Sequence, residues 1–138
     1  MHTFERCERL RSRKLLGRLF QEGRSFMAFP VRVVWLPLSP TERQAARFET
    51  NRAQVAVSVP KRRYRQAVVR NRIRRQVREA YRLHKHLLYQ TLEHRNLDIA
   101  LLLIFVGKET PTFDQLTDSM SKLLHYFEKM PVNDPATA

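Results

Sequence analysis

Residues 58–85 read SVPKRRYRQAVVRNRIRRQVREAYRLHK, and this stretch decides the fold. It opens at the end of a strand. Residues 52–59, RAQVAVSV, alternate with Val55, Val57 and Val59 on one face. Pro60 stops the strand because it has no N–H to donate to a ladder. Over 66–89 the apolar period changes: Val69, Ile73, Val77, Ala80, His84, Leu87 and Leu88 recur at helical spacing as one stripe. The opposite side of that helix carries Asn71, Arg75, Arg78 and Arg82, flanked by Arg74 and Lys85. Arg70 falls at one border, beside Tyr81, and Arg72 on the other flank. Residues 97–106, LDIALLLIFV, then form a continuous apolar run, the pattern of a strand covered on both faces. Strand, long helix and buried strand imply a β-α-β crossover in a small α/β sandwich.

The flanks fit the same architecture. Residues 10–22 place Leu15, Leu16, Leu19 and Phe20 at helical spacing, with Gly23 as a C-cap. Residues 24–37 read as extended, with Val31, Val33 and Trp35 on one face and Pro30 at an edge or strand start. A short extra strand near 24–26 fits beside it. The polar connection over 38–51 has room for a helical turn at RQAARF. Thr110 or Thr112 caps a last helix over 113–130, with Leu116, Met120, Leu123, Leu124 and Phe127 on one side. The expected division is a flexible N-terminus over 1–9, one domain over 10–130 and a disordered tail over 131–138.

Charge is the second strong signal. The chain has 138 residues with 26 Lys and Arg against 13 Asp and Glu, a net charge of +13. The excess is concentrated: residues 61–85 hold eleven bases and one acid, Glu79. Residues 5–24 add seven bases against three acids, while 109–138 carry two bases against five acids. Such polarity points to a polyanion partner, nucleic acid or an anionic membrane surface. Most central bases are Arg, whose planar fork matches phosphate oxygens and stacks on bases. Asn71 among them can donate and accept, which suits a sugar hydroxyl or a base edge.

Several classes are excluded. One cysteine, Cys7, forms neither an internal disulfide nor a zinc site by itself, and it reads as an idle thiol near a frayed end. No secretory signal, membrane-length apolar run, phosphate-binding Gly motif or repeat is present, and a cytoplasmic setting fits. His84 lies on the apolar stripe and reads as a core or boundary residue; His86, His94 and His125 have no ligand partners at recognisable spacing. Asp98 reads as structural, pairing with an Arg or capping a turn. Asp114 and Asp118 suit a helix N-terminus without any further role. Among the aromatics, alternation assigns Trp35 to the core, whereas Phe20, Phe26, Phe29 and Tyr81 remain divided between core and base stacking.

The string Val69-Arg70-Asn71-Arg72-Ile73-Arg74-Arg75, preceded by a strand ending Ser58-Val59-Pro60-Lys61-Arg62 and continued by Arg78-Glu79-Ala80-Tyr81, resembles the bacterial ribonuclease P protein family. The helix ending Leu19-Phe20-Gln21-Glu22-Gly23, with Arg24-Ser25-Phe26 after it, and the strand over 98–105 extend the resemblance over about 10–127. One departure is Arg63-Tyr64-Arg65-Gln66, where most relatives have a shorter Gly-Asn link. The resemblance implies a two-layer α+β sandwich: a mixed sheet of about four strands, three helices and a left-handed β-α-β crossover. It implies a non-catalytic protein subunit of a ribonucleoprotein endoribonuclease that removes the 5′ leader of precursor tRNA. Catalytic groups and Mg²⁺ are then expected on the RNA, with no metal-binding motif in the protein. Lys61, Arg62, Arg70, Asn71, Arg72, Arg74, Arg75 and Arg78 are the implied contacts to the catalytic RNA. Phe20, Arg24 and Phe26 are implied at a cleft for the leader. The partners are the catalytic RNA and precursor tRNA, with no membrane and no protein partner evident. The alternatives from other classes are a structural RNA-binding protein, such as a ribosomal component, and a metal-dependent nuclease acting alone. The scattered acids count against the last.

Overall fold

The computed structural model describes residues 4–130; residues 1–3 and the expected disordered tail over 131–138 lie outside the described residues. A 3-10 turn, Arg6–Glu8, is followed by α1 (Arg13–Glu22), β1 (Arg24–Ala28), β2 (Val31–Pro37), α2 (Pro40–Ala45), β3 (Ala53–Ser58), α3 (Ala67–His94), β4 (Ile99–Phe105) and α4 (Phe113–Lys129). The four strands make one mixed sheet in the order β1-β2-β4-β3. β2 is antiparallel to both β1 and β4, whereas β3 runs parallel to β4 with Val55 opposite Leu101. A parallel pair cannot be closed by a tight turn, and α3 is the crossover that joins it.

Alternation along each strand feeds two apolar layers. Val31, Val33, Trp35, Val55, Leu101, Leu103 and Phe105 pack beneath α3 and α4. Val34, Leu36, Ala100 and Leu102 turn the other way, against Leu15 and Leu19 of α1. β4 is thus buried on both faces, which is why its sequence is a continuous apolar run rather than an alternating one. Three helices begin on side-chain caps. Ser12 accepts from the Leu15 N–H at the start of α1, and the Ser39/Glu42 and Thr112/Gln115 capping boxes open α2 and α4. α3 has no such cap: Gln66 makes no side-chain bond to its first turn.

The structure departs from the sequence reading at four points. The extended stretch over 24–37 is a hairpin, with Phe29 and Pro30 between β1 and β2 and Arg24 opposite Trp35. The long helix continues five residues past Tyr89 to His94, because Leu92 is fully buried and carries the stripe onward. The stripe is also rotated: Tyr81 and Lys85 are buried, whereas Leu87 is 39% exposed. The cause is the fourth difference. The part of the expected flexible stretch that is described, residues 4–9, lies packed on that flank, with Glu8 only 4% exposed. A local pattern cannot register a segment that arrives from some 77 residues away.

α1 and its C-cap hold two glycines in opposite situations. Gly23 caps the helix in extended geometry at φ −65°, so left-handed freedom is not its role. It is there for space: a Cβ would stand 2.3 Å from the Leu19 carbonyl oxygen and 2.7 Å from Val34 Cγ1. Gly17 lies within the helix with nothing within 4 Å of such a Cβ. Gly23→Ala should therefore destabilise by about 1–3 kcal/mol through overpacking. Gly17→Ala should stabilise by about 0.5–1 kcal/mol through helix propensity. Urea-unfolding midpoints of the two variants should move in opposite directions.

Candidate nucleic-acid interface

The basic link between β3 and α3 is held from both ends. Pro60 accepts the N–H groups of Arg63 and Tyr64 through its carbonyl, closing a tight turn that leaves Lys61, Arg62 and Arg63 exposed. The Tyr64 ring lies 6.0 Å from that of Phe105, and its hydroxyl donates to the Gly107 carbonyl at 3.1 Å. Burial outweighs the opposing charge of Arg63 and raises the Tyr64 pKa, so the hydroxyl stays a donor. Arg70 reaches back from α3 and donates to the carbonyls of Tyr64 and Arg65, both at 2.8 Å. The sequence marks Tyr64 only as part of a longer link; an aromatic in a basic loop beside a buried strand is the signal for its anchoring role.

The first turns of α3 then present the arginine-rich face. Arg72, Arg75 and Asn71 are exposed, and Arg74 and Arg78 are half-buried. Asn71 accepts from Arg74 Nη1 at 2.7 Å, which fixes that guanidinium across the helix surface. Val68, Asn71, Arg74, Arg75 and Arg78 line an open depression of about 570 Å³. On the other flank, Arg72, Arg75, Gln76 and Phe113 line a second of about 410 Å³. The single acid of the run, Glu79, is taken by Arg82 at 2.5 Å, and that hydrogen bond lowers its pKa. Among the described residues, no acid pairs with Arg72, Arg75 or Arg78. Burial, followed by the positive charges of Arg9 and Arg74, lowers the Arg78 pKa. Unpaired guanidinium groups gathered on one helix face favour oxyanions through charge and bidentate geometry.

The eight residues expected at this face do not all play one part. Lys61, Arg62, Asn71, Arg72, Arg74, Arg75 and Arg78 present polar groups along the link and α3. Arg70 differs, because its guanidinium is spent on the loop's own carbonyls. Lys85, read as flanking the cationic side, lies inside against Glu8.

The expected trio of Phe20, Arg24 and Phe26 is not brought together. Strand alternation puts Arg24 and Phe26 on the α4 side of the sheet, opposite Trp35 and Val33. There Phe26 stacks on Tyr126 at 3.7 Å, and the Arg24 guanidinium lies 5.9 Å from the Trp35 ring. Phe20 is on α1, which covers the other face, and is 72% exposed. On that second face β1 and β2 instead offer Met27, 55% exposed, with Arg32 paired to it and donating to Ser25 at 3.3 Å. Leu16, Ala56 and Ile104 lie half-buried at the margin of the layer beneath α1. Alternation by itself puts Arg32 on the face opposite Trp35; that this face stays partly open beside α1, with Met27 next to Arg32, is decided by the packing of the helices.

The remaining candidates have structural partners. Asp98 is bridged by Arg43 and Arg52 at 3.2 and 3.3 Å, and His84 Nδ1 lies 2.7 Å from the Ala80 carbonyl. The Cys7 carbonyl accepts from Asn51 and Gln54, and burial pushes the Cys7 thiol pKa up. Trp35 and Tyr81 are core residues.

The Ribonuclease P family model matches residues 4–128. The ribonuclease P protein component of Porphyromonas gingivalis is 38% identical over 119 residues, covering 86% of this chain and 82% of that protein. The ribonuclease P protein component of Chlorobium phaeobacteroides is 28% identical over 132 residues, covering 91% and 88%. Among solved structures, the RNase P protein of Staphylococcus aureus superposes with a TM-score of 0.60 at 20% identity, covering 86% of this chain and 93% of that one. The RNase P protein of Thermotoga maritima gives 0.59 at 21%, covering 90% and 98%. These two likenesses establish the fold: a four-stranded mixed sheet with helices, as the motif led us to expect.

The geometry separates two kinds of arginine. Arg72→Ala and Arg75→Ala should each flatten the salt dependence of RNA binding by about 0.7–0.9 in log–log slope, the worth of one phosphate contact. Arg70→Ala should act first on the loop, speeding tryptic cleavage within 61–65. Equal protease resistance of Arg70→Ala and the parent protein would show that the two carbonyl bonds do not order the link.

Proposed function

The chain belongs to the ribonuclease P protein family, and from that premise we propose that it serves as the protein subunit of ribonuclease P, binding the catalytic RNA and the 5′ leader of precursor tRNA to promote leader removal. The observation that carries this reading is the face of α3. Asn71, Arg72, Arg74, Arg75 and Arg78 radiate from one buried rod with a single neighbouring acid already engaged. In this reading they grip phosphates of the catalytic RNA, with Lys61 and Arg62 extending the contact from the preceding turn. Arg70 supports it indirectly by holding the link in place. Their charge also screens the repulsion between two polyanions, the catalytic RNA and its substrate.

The leader is assigned to the opposite sheet face, beside α1. A single strand is bound by aromatic stacking and a cationic groove. Phe20 supplies an exposed ring, and Arg32 and Met27 supply charge and apolar surface on the same face. Arg24 and Phe26 are withdrawn from this role, because their side chains lie on the α4 side.

Cleavage chemistry is assigned to RNA. Among the described residues, no three His, Cys, Asp or Glu side chains gather where they could hold a metal ion. The donor set of the described residues does not fit a Mg²⁺ site, and in this reading the Mg²⁺ of the reaction is held by RNA. Among the described residues no helix is long and apolar enough to cross a membrane. The cytoplasmic location belongs to the proposal through its RNA partners alone.

Reconstitution tests the reading. Purified protein, a bacterial ribonuclease P RNA and precursor tRNA are mixed at low Mg²⁺, together and in each pairwise omission. Leader removal is expected only with RNA and protein both present. Cleavage by protein alone would indicate a self-sufficient nuclease. No stimulation would favour a structural RNA-binding role, as in a ribosomal component. Phe20→Ala should weaken precursor tRNA binding by about 1–3 kcal/mol per lost stack while leaving mature tRNA binding unchanged. Equal losses for both tRNAs would remove Phe20 from the leader site.

A further inference from the structure

The segment before α1 is tied down more thoroughly than an ordinary terminus. Glu8 accepts from Lys85 Nζ at 2.6 Å and from the Tyr89 hydroxyl at 2.6 Å, bonds that span 77 and 81 residues. Both charged side chains are nearly excluded from solvent. The Cys7 carbonyl is held by Asn51 and Gln54, and the Leu10 N–H donates to Val55 at 2.9 Å. Phe4 lies 6.1 Å from Tyr81, and the Arg9 guanidinium sits 5.3 Å from the Phe4 ring. Arg9 is thereby anchored at both backbone neighbours while its own side chain remains exposed. It has no acid partner among the described residues. Phe4 bridges Arg9 to Tyr81, which lies about one turn along α3 from Arg78, and the charge of Arg9 adds to that of Arg74 at Arg78.

A buried ion pair is a poor way to gain stability, since desolvating two charges cancels most of their attraction. Its better use is to fix one arrangement over others. The arrangement fixed here gathers like charges, which repel until a polyanion lies across them.

We propose that Glu8 and Lys85 form a latch that positions Arg9 beside the arginine face of α3, so that Arg9, Arg78 and Arg74 grip the backbone of one RNA strand. This deepens the function proposed above and rests on it. Lys85 is then a positioning residue rather than an RNA contact, although it lies within the basic run. Arg9 is the direct contact, and Glu8 acts through it.

The test is binding of a bacterial ribonuclease P RNA to the full-length protein across a series of monovalent salt concentrations, with an unrelated RNA of equal length as control. Arg9→Ala should lower the log–log salt slope by about 0.7–0.9, one phosphate's worth, and leave the urea midpoint unchanged. Glu8→Gln should show the same reduced slope together with a lower urea midpoint. The double exchange Glu8→Lys with Lys85→Glu should restore both, and it decides the matter even where Glu8→Gln fails to fold. A parental slope in Arg9→Ala, or in Glu8→Gln alongside lost stability, overturns the latch while leaving the functional reading intact. Parent protein that binds both RNAs equally overturns that reading and the latch with it.

Discussion

Burial of one stripe of α3 against the sheet is the constraint on which the rest depends. Ile73, Val77, Ala80, Tyr81, Leu88 and Leu92 are buried to within 2% of complete exclusion. Between them stand the arginines, which would repel one another along any free helix. Tertiary packing rather than helix propensity holds such a rod together. Once that side is committed, the remaining side chains have one direction left, outward, and a run of like charges becomes a surface. The parallel pairing of β3 and β4 requires a long connection in any case, so the same helix that closes the sheet also displays the charge.

The sheet has two differently covered faces. One face is filled by α3 and α4, where Trp35, Phe26, Tyr126 and Phe127 form a continuous aromatic contact. The other is only partly covered, because α1 spans ten residues and its buried residues, Leu15 and Leu19, meet the middle of the sheet. What α1 leaves open is the surface assigned to the leader. The arginine face and that open surface are thus separated by the sheet layer, so the two proposed contacts do not compete for the same side chains.

Residues that look alike in the sequence are sorted by their partners. Arg70 and Arg72 flank the same asparagine, yet Arg70 braces the loop over 60–66 and Arg72 stays exposed. Lys85 closes the basic run and is buried by Glu8. Phe20 and Phe26 lie six positions apart and end on opposite faces of the sheet. Each distinction depends on a group distant in sequence or on which helix packs against each face of the sheet.

The sequence by itself determined the strand–helix–strand unit, the arginine motif and its family, the apolar β4, and the capped α4. All of these rest on local periodicity, capping and charge density, which a short window contains. Tertiary structure alone decided that residues 4–9 are packed, that the buried stripe turns toward Tyr81 and Lys85, and that Arg24 and Phe26 face away from α1. The physical reason is that facing and burial are set by what packs on the other side. For Glu8 and Lys85 that neighbour lies 77 residues away, and for Phe26 it is Tyr126 of α4, a hundred residues on.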